Sequence, residues 1–323
     1  MQTADILIKN EPAMTLEIER KFLVGILPEG HGRSEGLLKG LPIRQGYLAS
    51  SDKRTVRIRQ QGRQHWLTVK TGTSLERQEY EVPLTARQFT ALWPATAGSR
   101  ITKSRHRIAL GQLIAELDIF GDVLDGLRMV EVEFTSTDAA SQFEPPWWFG
   151  PEVTGDPLFY NSTLSTLNRS SARQSLGPLL APPLLAYGVI PLVRTKRSVQ
   201  VVIVSTRTSG RWICPKGTPE PGKSPQEVAL GEALEEAGVE GALGDQAIPV
   251  AYWRDRQCIH IQYWPMLVQL IHDTWQEAAI RKRTICSIDE AKALMKNPAF
   301  SRALDQASAA LASADGTFQA SRR

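Results

Sequence analysis

Strict two-residue alternation recurs in segment after segment of the first half of this chain, and that period belongs to β-strands rather than helices. Leu16, Ile18 and Phe22 alternate with Glu17, Glu19 and Lys21; Val56 and Ile58 with Arg57 and Arg59; Leu67 and Val69 with Thr68 and Lys70; Tyr80 and Val82 with Glu79 and Glu81. Further along, Lys103, Arg105 and Arg107 occupy every second position. Leu117 and Ile119 alternate with Glu116 and Asp118, and Val130, Val132 and Phe134 with Glu131 and Glu133. One such strand ordinarily has a solvated face. Here the charges are also sorted by sign. Glu17/Glu19, Glu79/Glu81, Glu116/Asp118 and Glu131/Glu133 are acidic pairs, whereas Arg57/Arg59, Lys103/Arg105 and Lys70 are basic. Like charges at i and i+2 share a face about 7 Å apart, and an open sheet gains nothing from them. A closed barrel of about eight strands, charged face inward, turns them into a walled site holding both signs. Its acidic side suits Mg2+ or Mn2+, which prefer carboxylate oxygens and retain waters. Its basic side suits phosphoryl groups, with Arg57 and Arg59 as fork donors and Lys21, Lys70 and Lys103 as point charges. Such a site fits metal-assisted attack on a polyphosphate.

The length of 323 residues favours two domains. With 42% hydrophobic and 22% charged residues, the composition excludes a disordered, collagenous or coiled-coil chain. The net charge of +4 is weak support for a nucleic-acid partner. Residues 1–169 carry 20 basic and 20 acidic side chains, and residues 170–323 carry 18 and 14. Cys214, Cys258 and Cys286 are far apart and read as structural thiols in a reducing cytoplasm. The five histidines, His31, His65, His106, His260 and His272, lack metal-ligand spacing. Residues 1–13 read as a disordered leader, without a signal-peptide pattern, and Met14 as an alternative start. From Gln174 to Val193 there is no charge, but Pro178, Pro182, Pro183 and Pro191 argue against a membrane helix. The expectation is an extended Pro-rich linker over 170–186 and a strand from about Tyr187. Thr85–Trp93 and Asp138–Phe143 read as short helices, and Trp147–Trp148 as a packed lid on the barrel.

Several motifs in order then resemble one family. L-E-I-E-R-K-F-L-V at 16–24 is similar to the E-x-E-x-K signature of the CYTH family, or triphosphate tunnel metalloenzymes. Q-G-Y-L at 45–48, V-R-I-R at 56–59, L-T-V-K at 67–70, R-Q-E-Y-E at 77–81, K-S-R at 103–105, E-L-D-I-F at 116–120, V-E-V-E-F at 130–134 and E-V-T-G-D at 152–156 continue it over 14–169. The resemblance implies an antiparallel eight-stranded tunnel that binds Mg2+ or Mn2+ and, in the bacterial members it most resembles, hydrolyses inorganic triphosphate. It implies metal ligands at Glu17, Glu19 and Glu133, with Glu131 and Asp118 nearby. Triphosphate contacts would come from Lys21, Arg57, Arg59, Lys70, Lys103 and Arg105, and a water-activating dyad from Lys21 and Tyr47. Neighbouring cations should lower the pKa of Lys21 and neighbouring carboxylates raise it; the sequence leaves the outcome open. Adenylate cyclase and thiamine-triphosphatase activity are the alternatives within this family.

The second half changes character. Val199–Ser205 is an apolar β-branched run suited to a buried strand, and Ile259–Ile271 is strand-like. Ser224–Ala237 has helical spacing, with Val228, Leu230 and Leu234 as its core stripe, Pro225 in its first turn and Gly238 at its end. Ser287 with Glu290 predicts a capping box, and the tail from Ser308 is expected to fray. Residues 217–239 resemble the Nudix box, a loop–helix–loop that sets metal-binding carboxylates on one helix face. Glu232, Glu235 and Glu236 keep those positions, but Lys223 stands where the box has its first Glu and Gly231 where it has Arg. W-I-C-P-K-G at 212–217 is similar to Nudix enzymes acting on diphosphoinositol or dinucleoside polyphosphates. The resemblance runs over 187–306, leaving 307–323 as a flexible tail, and it implies an α/β/α sandwich. This domain is then either a pyrophosphohydrolase or a non-catalytic module binding a nucleotide or polyphosphate. Arg281, Lys282 and Arg283 form a small basic patch that could contact phosphates but reads as a solvated run. The expected whole is a cytoplasmic, metal-dependent inorganic triphosphatase with tripolyphosphate as substrate, no membrane or specific nucleic-acid partner, and an open oligomeric state.

Overall fold

Eight antiparallel strands close on themselves in the first half of the chain: β1 (Thr15–Leu23), β2 (Leu41–Ser51), β3 (Arg54–Gln61), β4 (Gln64–Thr73), β5 (Glu76–Pro83), β6 (Arg100–Leu110), β7 (Leu113–Phe120) and β8 (Arg128–Phe134). Their order around the barrel is β1-β5-β4-β3-β2-β6-β7-β8, and β8 pairs back to β1. The structure is a computed structural model that describes residues 15–27, 40–51, 54–73, 76–196 and 198–313. The expected leader 1–13, His31 and residues 314–323 of the expected tail lie outside the described residues, as does the side chain of Glu17.

Alternation explains the barrel's two surfaces. On β1 and β8, Phe22, Val130 and Val132 leave the barrel outward, while Lys21 and Glu131 are partners across the ladder on the other face. The outer residues pack with Leu117, Ala140 and Trp148 into a dry cluster, and burying a side chain the size of Phe22 is worth roughly 1.5–3 kcal/mol. This cluster is covered by α2 (Thr137–Gln142) and the 143–149 segment, so Trp148 is packed as expected. The hairpin between β3 and β4 turns at Gly62, whose φ of 57° is the left-handed region a two-residue hairpin loop demands. Outside the barrel, α1 (Ala86–Leu92) begins at Thr85 with a capping box to Gln88 and buries Phe89. The turn α3 (Asn161–Leu164) buries Leu164.

The expected extended linker is instead a helix, α4 (Arg169–Leu180). Asn168 caps it through a capping box with Ser171, and Ala172, Leu176 and Leu179 are buried. Pro178 falls in the last turn, where its missing N–H and ring disturb only one carbonyl. Pro182 and Pro183 come after the helix has ended, so the proline cluster stops a helix rather than preventing one. A Cβ at Gly126 would lie 2.2 Å from the Leu180 oxygen, so only glycine lets the 122–126 turn approach the end of α4.

Chain compactness divides the molecule into 1–182 and 183–323. The second unit is a three-layer sandwich. Its mixed sheet comprises β9 (Leu184–Arg194), β10 (Val199–Ser205), β11 (Trp212–Ile213), β12 (Lys216–Gly217), β13 (Val239–Leu243), β14 (Ile248–Arg254), β15 (Gln257–Ile271) and β16 (Arg283–Ser287). On β10, Val202 and Val204 face α5 (Pro225–Ala237), while Val201 and Ile203 face α6 (Ile288–Met295) and α7 (Pro298–Ser313). Covered on both faces, β10 reads as a continuous apolar run because neither face meets water. Capping boxes open both α5 and α6, at Ser224/Glu227 and Ser287/Glu290. Two expectations are corrected. Leu234 is exposed, and Val228, Ala229, Ala233 and Ala237 form the buried stripe of α5, because small residues let the helix sit close to the sheet. The tail does not fray at Ser308: α7 continues to Ser313, held by fully buried Leu311. Among the described residues, no helix is long and apolar enough to cross a membrane.

Candidate active site

Because charged residues on the barrel strands point inward, they meet in one cavity of about 470 Å³. Among the described residues six cationic side chains line it, Lys21, Arg57, Arg59, Lys70, Lys103 and Arg105, together with six carboxylates, Glu19, Glu79, Glu81, Glu116, Glu131 and Glu133. Tyr47 lines it as well, from β2, a strand without an alternating signal.

The pairs inside are ordered. Arg57 lies 3.5 Å and Lys70 3.4 Å from the Glu79 carboxylate, and Arg59 donates to Glu81 at 2.8 Å. Lys21 Nζ lies 2.9 Å from Glu131 and 3.7 Å from Glu19. Burial would strip the proton from Lys21, but Glu131 and Glu19 outweigh it and raise its pKa. The question left open by the sequence is thus decided by the carboxylates. Tyr47 accepts from Gln45 Nε2 at 3.1 Å, and burial raises the phenol's pKa against the pull of Arg57. Burial would also raise Glu131, but Lys21 and Arg105 hold it well below the usual carboxylate range. Arg105 grips Asp118 with Nε and Nη2, each at 2.7 Å, and reaches Glu131 at 2.9 Å and Glu116 as well. Burial lowers the Lys103 ammonium to about 8 although Asp118 accepts its hydrogen bond.

One expected site residue lies behind the cavity wall rather than on it. Asp118 is fully buried, absent from the cavity wall and occupied by Lys103 and Arg105. It anchors two cations behind the wall, and on β7 Glu116 is the residue that reaches the cavity.

Whether the remaining residues suit a divalent cation can be judged from the ladder. Glu19 on β1 and Glu133 on β8 are direct partners across it, so two carboxylates are brought to one place, as oxygen ligands of a divalent cation would be. The Nε–H of Arg59 is buried without a hydrogen-bond partner, as a donor awaiting an anion would be. A wall with six charges of each sign would leave a bare polyphosphate uncompensated, whereas a metal-neutralised one fits. Among the described residues, no three His, Cys, Asp or Glu side chains are drawn into a metal-holding group. Mg2+ needs only one or two carboxylates besides waters and phosphate oxygens, so the donors fit such an ion.

The second unit gathers a smaller site on α5. Glu232 lies against Gly217, where a Cβ would fall 1.7 Å from its Oε1. Burial, with Glu236 and Glu235 adding repulsion, pushes the Glu232 carboxyl up to about 7. Glu236 Oε2 accepts from the Lys216 backbone N–H at 3.0 Å, and its Oε1 accepts from Arg281 Nη2. Arg281 Nε donates to Glu277, and Nη1 to the Ser205 carbonyl at 2.9 Å. Arg207 also pairs with Glu277 and lies 3.7 Å from Glu235. The basic run at 281–283 is solvated only at Lys282, which is exposed: Arg281 is buried, and Arg283 donates to the carbonyls of Ala237 and His272. Lys223 pairs with Glu220 at 2.7 Å on the surface. Glu277, Arg281 and Arg207 were missed in the sequence because they lie outside the box. Lys216 lay within a quoted motif, yet no spacing rule marked its backbone N–H. Cys214, Cys258 and Cys286 are all buried free thiols.

The CYTH domain model matches residues 15–144, and the NUDIX domain model matches residues 182–305. An inorganic triphosphatase of Nitrosomonas europaea is 47% identical over 152 residues, covering 46% of this chain and 96% of that protein. A solved inorganic triphosphatase structure is 44% identical, covering 48% of this chain and 97% of the other, with a TM-score of 0.38. Human diphosphoinositol polyphosphate phosphohydrolase 3-beta is 34% identical over 101 residues, which is 30% of this chain and 61% of that relative's length.

Proposed function

The chain belongs to the CYTH domain family and is a hydrolase, and on that premise we propose that its barrel hydrolyses inorganic triphosphate to pyrophosphate and phosphate with a divalent cation. The observation that carries this reading is a cavity in which, among the described residues, six cations and six carboxylates face each other. Glu17 and Glu19 of β1 and Glu133 of β8 would hold Mg2+ or Mn2+, and Glu131 would assist. The ion supplies Lewis-acid polarisation of the phosphoryl oxygens and neutralises charge on the leaving group. Arg57, Arg59, Lys70, Lys103 and Arg105 bind and align the triphosphate, so that positioning and electrostatics do most of the work. Lys21 and Tyr47, both holding their protons in the free cavity, orient the attacking water. Among the described residues the wall is mostly charged or polar, with Ile18, Phe134, Val153, Tyr47 and Tyr160 as its apolar and aromatic side chains, which favours the inorganic substrate over cyclisation of ATP. The second domain is read as a nucleotide- or polyphosphate-directed unit using Glu232, Glu235 and Glu236.

Phosphate and pyrophosphate release should be followed with tripolyphosphate, ATP and thiamine triphosphate, each with Mg2+ or Mn2+. Tripolyphosphate should be preferred, chelation should abolish turnover, and Glu19→Ala should remove it. A folded, metal-supplied protein that releases nothing from any of the three would refute the reading; cyclic AMP from ATP would replace it with the cyclase.

A further inference from the structure

The Nudix box is missing its arginine at Gly231, yet its carboxylates are not without a guanidinium. We propose that Arg281, delivered by the segment before β16, stands in for that arginine as the positioning residue of the α5 acid face. This inference rests on reading Glu232, Glu235 and Glu236 as a metal-facing set.

Three observations carry it. Arg281 is buried, and each of its three nitrogens is committed: Nη2 to Glu236, Nε to Glu277 and Nη1 to the Ser205 carbonyl. The last bond ties the guanidinium to the end of β10, so its orientation is set by the sheet as well as by α5. Glu236 is held at both oxygens, by Arg281 and by the Lys216 backbone N–H, which fixes the plane of its carboxylate. At Gly231 itself, an added Cβ would meet nothing within 4 Å. The place from which an arginine would leave the helix is open, and Glu235 lies four residues on, on the same face. Arg281 thus supplies from a neighbouring element the charge and the fork geometry that α5 no longer carries. Glu277, clamped between Arg281 and Arg207, joins the acid face as a carboxylate that the same guanidinium orients.

Two roles predict opposite outcomes when Arg281 becomes Gln. If Arg281 balances the charge of carboxylates that the Lys216 N–H still holds in place, removing its charge leaves the face more negative, and a divalent cation binds tighter. If it is only a strut, the face loosens and the cation binds more weakly or as before. Mn2+ binding to the full-length chain, read by electron paramagnetic resonance, separates them once the Mn2+ lost in Glu232→Gln defines the α5 site. The expected result is about tenfold tighter Mn2+ at that site in Arg281→Gln and near wild-type affinity in Arg281→Lys. Gly231→Arg combined with Arg281→Gln should return the affinity toward wild type. Thermal melts of each variant report that it is folded. Unchanged or weaker binding in folded Arg281→Gln, or no reversal by Gly231→Arg, overturns the role of Arg281 alone. A wild-type chain without Glu232-dependent Mn2+ overturns the metal-facing reading, and the inference with it.

Discussion

Replacing Glu19 by Gln separates a metal ligand from a structural strut, and the structure sets the size of each effect. Glu19 lies 3.7 Å from Lys21 and its side chain is 33% exposed, so losing that ion pair costs about 0.2–1 kcal/mol. Lys21 keeps its closer partner Glu131 at 2.9 Å. Glu19 also faces Glu133 across the ladder, and relieving that repulsion returns about 0.2–1 kcal/mol. The two effects nearly cancel, so in EDTA the melting temperature of the first domain should move by no more than about 2 °C. Saturating Mn2+ behaves differently. At 100 times its Kd a bound ion adds about 2.7 kcal/mol, which for a domain of this size is about 5–10 °C. Wild type should show that shift in differential scanning calorimetry, and Glu19→Gln should lose it along with tripolyphosphate turnover. If the variant melts many degrees lower in EDTA, Glu19 is a strut. If Mn2+ still raises its melting temperature in full, Glu19 is not a ligand.

Lys103, lowered to about 8 by burial, carries its charge below that pH and loses it above. For tripolyphosphate, kcat/KM should therefore fall as pH rises through about 8, because that ratio reports the free enzyme; Lys103→Arg should abolish this limb, and its persistence would assign it elsewhere. Gly231→Ala should stabilise the second domain by about 0.5–1 kcal/mol in urea unfolding, since the site is exposed and open; destabilisation would show that the helix needs glycine there. Gly217→Ala would drive a methyl group into the Glu232 carboxylate. It should displace Glu232 and weaken Mn2+ at α5, and unaltered binding would remove Glu232 from the ligand set.

Strand identity was legible wherever one face was charged and the other apolar, as on β1, β3, β7 and β8. It was not legible on β2, where Gln45 and Tyr47 carry the inward face without charge and only the family motif marked them. Helix caps were legible because Ser and Glu three residues apart bond locally. The proline-bearing α4 was not, because its stability comes from burying Leu176 and Leu179 against residues distant in sequence. The same limit applied to the sites. Position along a strand told which side chains face inward, but not which of them reach the cavity: Asp118 and Glu131 look equivalent in sequence, and only one lines the wall.

By itself the sequence determined the inward alternation, the sorting of charge by sign and the cancelling totals of the first domain. Those follow from period and composition, which are local. Tertiary structure decided which opposite charges meet, that Glu19 and Glu133 face each other, that the pKa of Lys21 is raised while that of Lys103 is lowered, and that Arg281 pairs with Glu236 of α5. Each of these depends on distance and burial between strands and helices far apart in the chain, and electrostatic energy is set by that separation and by the exclusion of water.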